Sequence, residues 1–529
     1  MAEFINYTMD HGGGGNGNGN GNGNGNGNGK KKNGNGHDYF AHGGGGAAKQ
    51  ARKTASNLDE TQIPGGVATG VGSMQKTEQD YMSSALDLFD GSPVEANMID
   101  ATERCYYVNG GLTDSGPWTF HIPAEASMLI DPGSFRLHGV IEVWKHQAAG
   151  AGEAKLTAAK AAAGNEAAVE AEYVSVVNMF PHALFKTVEV DMSGQLVSYI
   201  GTGMAHYKAI IETLLSYGVN ATHCTLAPSR FLEDQTGAAN NAKNEGAAKR
   251  AKWFEGSKEV DFSIPLASDV LRINKYLPDQ MSLNITLSKS SDEFVLWHPE
   301  LTGDNVGVKY FIKMKALKLT CRRIQMRREW LQAMRTRLDR GERMRFPMVR
   351  TIIKPVSLGR GDKVRTVADI FRGRIPSTVI IGFVSHKAQG GDPLSNPFHF
   401  QHFDLTHATL VVNSKNFPAQ GYRPDFTKDR YAELYRALLD NIGIKEENED
   451  IFVTYEKYKS NYTFLAFDLT PDRCGNLHRH LETRGVVNLE LQFENALTEA
   501  ITAICYGTYM DEIQMDQDRI AYATGSVYE

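Results

Sequence analysis

Apolar residues in this chain fall into short runs of strand length, separated by turn-formers. Val379 to Val384 is an apolar, largely β-branched run that ends at Ser385, followed by Gly390, Gly391, Asp392 and Pro393. Asn396-Pro397-Phe398-His399-Phe400 restarts the chain in extended form, because a residue before proline avoids the helical region. A strand follows at Thr409–Val412, a polar turn at Asn413–Asn416, and a helix from Lys428 to Asn441.

The same order occurs earlier. Asn178-Met179-Phe180-Pro181-His182 leads into Thr187–Asp191, then Ser193-Gly194, then a helix from Met204 to Tyr217. Tyr207 with Leu214-Leu215 answers Tyr431 with Leu438-Leu439, a shift of 431 − 207 = 224, and the preceding strands match at a shift of about 222. Leu283–Leu287 answers Val487–Leu491 at 487 − 283 = 204, the drop falling across an Ala/Gly-rich stretch at 235–256 that only the first half carries. Shared order with insertion-explained drift predicts a duplicated domain.

The remaining pattern is of the same kind. In the first half, strands are expected at Trp118–Ile122, Phe135–Trp144, Val260–Leu266, Leu283–Leu287, Glu293–Trp297 and Tyr310–Leu319. In the second they are expected at Val349–Val356, Val379–Val384, Thr409–Val412, Thr463–Leu469, Val486–Phe493 and Ile501–Thr508, with Asp511–Asp518 as one more edge strand. Short alternating strands, long loops and small helices predict an all-β fold of two tandem jelly-roll sandwiches, not a βαβ fold. Ala148–Ala171 and Gly237–Ala251 lack an apolar stripe and read as solvent-facing loops. The expected domains are a Gly/Asn-rich arm at 1–79, a first jelly roll at 80–325, a basic linker helix at 326–345 and a second jelly roll at 346–529.

Composition narrows the function classes. A hydrophobic content of 41% and a charged content of 22% fit a soluble globular protein, and a net charge of −6 argues against a general nucleic-acid coat. The five cysteines are scattered without a CxxC pair, which argues against a disulfide scaffold or cysteine zinc site and for a reducing site of folding. No apolar run approaches the ~18 residues of a membrane span, and the amino terminus lacks the form of a signal peptide, so an intracellular product is expected.

The Gly-Asn alternation from Gly12 to Gly36 has almost nothing to bury and is expected to be disordered. It carries Lys30, Lys31 and Lys32, with Lys49, Arg52 and Lys53 after it, a basic patch that can touch nucleic acid or an anionic membrane or simply solubilise the chain. Lys309–Arg345 holds 13 lysines and arginines against three acids, a balance of +10. Its helical part, with Trp330, Met334 and Leu338 on one face, reads as a linker packed between the sandwiches.

Candidate chemistry is sparse. His399, His402, Asp404 and His407 form an H-x-x-H-x-D-x-x-H cluster of the residue types that jelly-roll oxygenases use for iron. On a strand, however, His399 and His402 point to opposite faces, and His478 and His480 sit in a Gly-Asn loop. Arg360-Gly361-Asp362 is the triplet that integrins read, placed in an expected turn. No P-loop, nucleophile elbow or zinc-protease helix is present, so no catalytic residue, metal or cofactor is assigned. A jelly-roll metal-dependent oxygenase and a duplicated carbohydrate-binding protein are the competing classes.

Six stretches carry a family resemblance. They are Leu86–Phe89, Gly116–Ile122, His206–Gly218, Asn396–Phe400, Arg423–Phe426 and Ala466–Asp472. Together, in order from about Ala85 to Asp518, they look like the major capsid (hexon) proteins of the adintovirus and Polinton (Maverick) type. The Gly-Asn arm and Ala-rich insertions stand outside the resemblance. It implies two jelly rolls per chain, a homotrimeric capsomer of pseudo-hexagonal outline, and a role in the shell of an icosahedral double-stranded DNA virus without catalysis. The implied partners are the chain itself, neighbouring capsomers, penton and minor capsid proteins, and DNA through the arm. The implied location is the virion, assembled inside the host cell.

Overall fold

The computed structural model describes residues 94–524, apart from 147–151, 159–171, 199–202, 242, 301–306, 445–449 and 476. The Gly-Asn arm with Lys30–Lys32, the Leu86–Phe89 stretch and most of the 148–171 insertion lie outside the described residues.

Two sandwiches follow one another, built on one plan. The first uses β1 (Met98–Tyr107), β2 (Trp118–Ile122), β3 (Arg136–His146), β4 (Phe185–Met192), β5 (Gln195–Ser198), helix α1 (Ala205–Ser216), helix α2 (Glu245–Ala251), β6 (Val260–Ile264), β7 (Leu283–Lys289) and β8 (Lys309–Met326). Helix α3 (Arg328–Asp339) leads to the second, made of β9 (Met344–Leu358), β10 (Val364–Arg374), β11 (Thr378–Ser385), β12 (Leu405–Val412), β13 (Lys415–Tyr422), helix α4 (Ala432–Ile442), β14 (Phe464–Asp468), β15 (Arg484–Phe493) and β16 (Ile501–Met515). The first sandwich pairs its strands in the orders β1-β8-β3-β6 and β2-β7-β4-β5. The second pairs them as β9-β16-β11-β14 and β10-β15-β12-β13, the same orders with every strand eight further on. All of these ladders are antiparallel. This is the jelly roll, twice.

Register corrects the sequence alignment by two residues at one place. The β4–β5 turn is Ser193-Gly194 and the β12–β13 turn is Asn413-Ser414, all four with positive φ as a two-residue hairpin of this twist requires. Their offset is 220, where the sequence suggests about 222. The offset of 204 stands. Leu283 pairs with Met192 and Val487 with Val412, so β7 and β15 are equivalent residue for residue.

Alternation explains which face is core. Trp118, Phe120 and Ile122 of β2, Leu283, Ile285 and Leu287 of β7, and Val487, Leu489 and Leu491 of β15 are fully buried, with more exposed residues between them. Each such apolar side chain stabilises the fold by roughly 1.5–3 kcal/mol. By contrast β11 and the Ile501–Tyr509 part of β16 are buried on both faces. A sheet that reads as near-continuous apolar sequence must be covered twice. Here one cover is the second core, and on the other side Tyr506 and Thr351 meet Glu212 and Asp269 of the first sandwich while Phe400 lies over Gly382.

Several boundaries differ from the pattern. Asp511–Met515 continues the central strand β16 instead of forming an edge, and the added edge strand is Ala521–Thr524. Asp292–Val295 is one helical turn ahead of a two-residue strand, Leu296–Trp297. Among the described residues no helix is long and apolar enough to cross a membrane.

Candidate functional site: the seam between the two sandwiches

Helix α1 carries the apolar side chains of a core helix, yet it also buries Lys208 completely. That ammonium is 2.7 Å from Asp269 Oδ1 and pairs with Glu212 one turn along the helix. Arg272 approaches the other oxygen of Glu212 at 2.5 Å. Two cations and two carboxylates therefore neutralise one another, the condition under which buried charge is tolerated. The second sandwich closes the cluster: Tyr506 of β16 donates to Glu212 Oε1 at 3.0 Å, and Thr351 of β9 donates its N–H to Asp269 Oδ2 at 2.8 Å. Burial pushes the Glu212 carboxyl up, but Arg272 and Lys208 outweigh it and hold the group down at about 2.

A second cluster lies on the insertion that precedes β6. Asp234 accepts from Arg250 and from Asn244 Nδ2 (2.8 Å) on one oxygen, and from Asn396 Nδ2 (2.8 Å) of the second sandwich on the other. Arg250 also donates to the carbonyls of Val176 (2.7 Å) and Leu232 (2.5 Å). Asn396 N donates to Asn240 Oδ1, Gly237 N to Asn461 Oδ1, and Lys457 Nζ to Glu233 Oε2. The Gly237–Ala251 stretch is thus not the solvent-facing loop its composition suggests. Its polar groups pair with one another and with the second sandwich, and α2 buries Gly246, Ala247 and Arg250.

Aromatic rings fill the space between these clusters. Tyr207 donates to the carbonyl of Pro397 at 3.1 Å and meets Phe398 and Phe400 edge-on at centroid distances of 5.7 and 6.2 Å. Phe294 meets Phe398 at 5.8 Å, and Phe231 meets Phe452 at 4.9 Å. The Asn-Pro-Phe-His-Phe motif is therefore the second sandwich's side of the seam. Its buried ring stack binds the two sandwiches as one body.

The helices of the two halves occupy equivalent places in chain order but pack differently. Helix α1 serves the seam, whereas α4 lies on its own sheet, with Asn441 Nδ2 donating to the carbonyl of Ala466 in β14. Tyr431 stacks on Tyr455 and Phe426, in place of the partner-facing role of Tyr207.

The candidate iron cluster does not converge on one centre: His402 and Asp404 stay together, Nδ1 3.3 Å from Oδ1, while His399 and His407 turn to other partners. His399 Nε2 faces the carbonyl of Ser460 at 3.1 Å, and His402 stacks on Phe426 at 4.2 Å while its Nδ1 accepts from Asp404 N at 2.9 Å. His407 lies over Gly421, where a Cβ would come within 2.3 Å of the ring. Burial lowers the pKa of both His399 and His402. These side chains are structural occupants of the seam and its neighbourhood. Arg360-Gly361-Asp362 forms the β9–β10 turn with Arg360 and Gly361 exposed, and Asp362 Oδ2 accepts from Gly359 N at 3.0 Å. Helix α3 packs Leu331 against Leu129, Ile324 and Met326, and its Arg335 donates to Asp279 at 3.1 Å. Asp279 also pairs at 2.9 Å with Arg519.

No family model matches this chain. An uncharacterized protein of Caenorhabditis elegans is 21% identical over 323 residues, covering 60% of this chain and 74% of that protein. Among solved structures, a chain of the Sputnik virophage has a TM-score of 0.56 at 11% identity, over 85% of this chain and 94% of that one. The mavirus major capsid protein has a TM-score of 0.50 at 10% identity, over 88% of this chain and 97% of that one. At such identities the likeness establishes the fold: a double jelly roll of the kind found in these viral capsid chains.

Proposed function

We propose that this chain is the major capsid protein of an icosahedral double-stranded DNA virus, assembling as a homotrimer with a pseudo-hexagonal outline. The observation that carries the reading is the rigid pairing of two sandwiches with one strand order through a buried seam. Three such chains present six similar lobes around a threefold axis, which is the outline that tiles a hexagonal lattice. A jelly roll also suits a shell because its sheets hold shape while its loops accept insertions.

In this reading the partners are neighbouring capsomers, penton and minor capsid proteins, and the location is the virion. Its type is adintovirus or Polinton, supported by the six motifs and by a relative in an animal, Caenorhabditis elegans. Lys30, Lys31 and Lys32 contact packaged nucleic acid, and the Arg360–Asp362 turn is the place for an integrin-type contact. The domain boundaries at 79, 325 and 345 belong to the same proposal. Electron microscopy of the expressed protein tests it. Hexagonal capsomers, alone or in shells, are expected. Isolated two-lobed particles at every concentration would overturn the reading.

A further inference from the structure

The loop that crosses from β14 to β15 brings together three side chains far apart from the seam in sequence and role. Asp472 Oδ2 lies 2.7 Å from His478 Nε2, and Asp472 Oδ1 lies 2.9 Å from His480 Nε2. The two imidazole rings are 4.5 Å apart at a tilt of 42°. One donor atom from each residue falls within 4.8 Å of the other two, and among the described residues this is where three such groups meet.

We propose that Asp472, His478 and His480 bind a divalent transition metal of the zinc class. The geometry separates this from an ordinary carboxylate–imidazole pair. One carboxylate is shared by two imidazoles, with His478 Nε2 on Asp472 Oδ2 and His480 Nε2 on Asp472 Oδ1, so three donors converge where an ordinary pair has two. In a hydrogen bond the N–H points at the oxygen. In a metal site the lone pairs of several groups point at a common centre, and here one donor atom from each of three residues gathers in one place. With bonds of about 2.0–2.1 Å, tetrahedral donors stand about 3.3 Å apart, between the 2.7 and 2.9 Å of the two carboxylate–imidazole contacts and the 4.8 Å span of the whole set, so small side-chain rotations would admit the ion.

The donor set agrees with that class. Two neutral imidazoles and one carboxylate suit zinc and its neighbours, not calcium or magnesium, which take oxygen ligands. The loop is already anchored on either side of the site: Gly475 N donates to Asp468 Oδ2 at 2.9 Å, and Glu482 pairs with Arg479 at 2.8 Å and with Arg374 at 3.4 Å. Cys474 N also donates to Asp472 Oδ1 at 3.1 Å, which orients the carboxylate. A bound ion would pin a segment that passes from one sheet of the second sandwich to the other, stiffening a surface loop without touching either core. The proposal stands independently of the capsid reading.

The test uses the full-length chain, freed of metal by a chelator and titrated with Co²⁺, then Zn²⁺. The expected result is a visible cobalt absorption that saturates at one ion per chain, is displaced by zinc, and weakens by more than about tenfold in both Asp472→Asn and His480→Gln. Zinc should also slow tryptic cleavage after Arg473 and Arg479 in the wild-type chain and leave it unchanged in the variants. Metal-free thermal unfolding of each variant serves as the control for folding, since all three side chains are at the surface. Failure of the wild-type chain to bind cobalt overturns the proposal, as does binding that survives in both variants.

Discussion

Removing the Asp234 carboxylate should do more damage than any single contact at the seam. Its two oxygens serve Arg250, Asn244 and Asn396, and the Arg250 and Asp234 side chains are only 2% and 4% exposed. Asp234→Ala leaves a guanidinium buried without a counter-charge, which costs about 3–5 kcal/mol. Asn396→Ala removes one donor to that carboxylate from the second sandwich and should cost about 1.5–3 kcal/mol. The Asn396–Asp234 bond is lost in either variant, so the double variant should fall short of additivity by about 0.5–3 kcal/mol. Urea unfolding followed by tryptophan fluorescence and far-ultraviolet dichroism measures all four proteins, the m-value checking that the same surface unfolds. An Asp234→Ala midpoint within about 0.5 kcal/mol of wild type would refute the reasoning. So would strict additivity, because it would mean that the two side chains do not meet.

Three further outcomes follow from other places in the seam and cores. His206 is packed against Tyr207 and Phe294 at the seam, and burial with the charge of Lys186 lowers it to about 3, while burial lowers His182 to about 4. Both histidines bind protons more readily when unfolded, so their stability is present above pH 6.5 and lost as pH falls toward those values, by a few kcal/mol each. His206→Phe should flatten the fall, and an unchanged slope in pH-dependent urea midpoints would contradict it. Leu214→Ala and Leu438→Ala, both at fully buried positions, should each cost about 2–5 kcal/mol, and the half-buried Leu439→Ala less, in the same urea assay. Equal costs at 438 and 439 would show that α4 faces another way. Gly246→Ala places a Cβ 2.0 Å from the carbonyl oxygen of Glu233, so α2 must move, at about 1–3 kcal/mol, and a neutral thermal midpoint would refute that packing.

The plan of the fold was legible because the inner strands alternate. Trp118–Ile122, Leu283–Leu287 and Val487–Leu491 have buried positions two apart, and that period is a strand's own. Other strands left no such trace. β1 is an edge with most residues exposed, β10 is mostly exposed and rich in arginine, and β13 contains Pro418, so none of them needs an apolar face. The seam was hidden for a different reason. Asp234, Asn244, Arg250 and Asn396 are residue types that normally mark solvent, and only their mutual pairing makes burial tolerable, which composition cannot register. The Asn-Pro-Phe-His-Phe motif was visible as an extended restart, but not as the surface onto which Tyr207 closes. His478 and His480 read in the sequence as loop histidines, and a loop has no spacing rule that would tie Asp472 to them.

The central claim is that the two fused sandwiches are the repeating unit of a threefold capsomer. Mass measurement of the purified chain in solution tests it most directly. Three chains of 58.3 kDa predict a species of about 175 kDa that persists on dilution through the micromolar range. A stable monomer across that range would contradict the account.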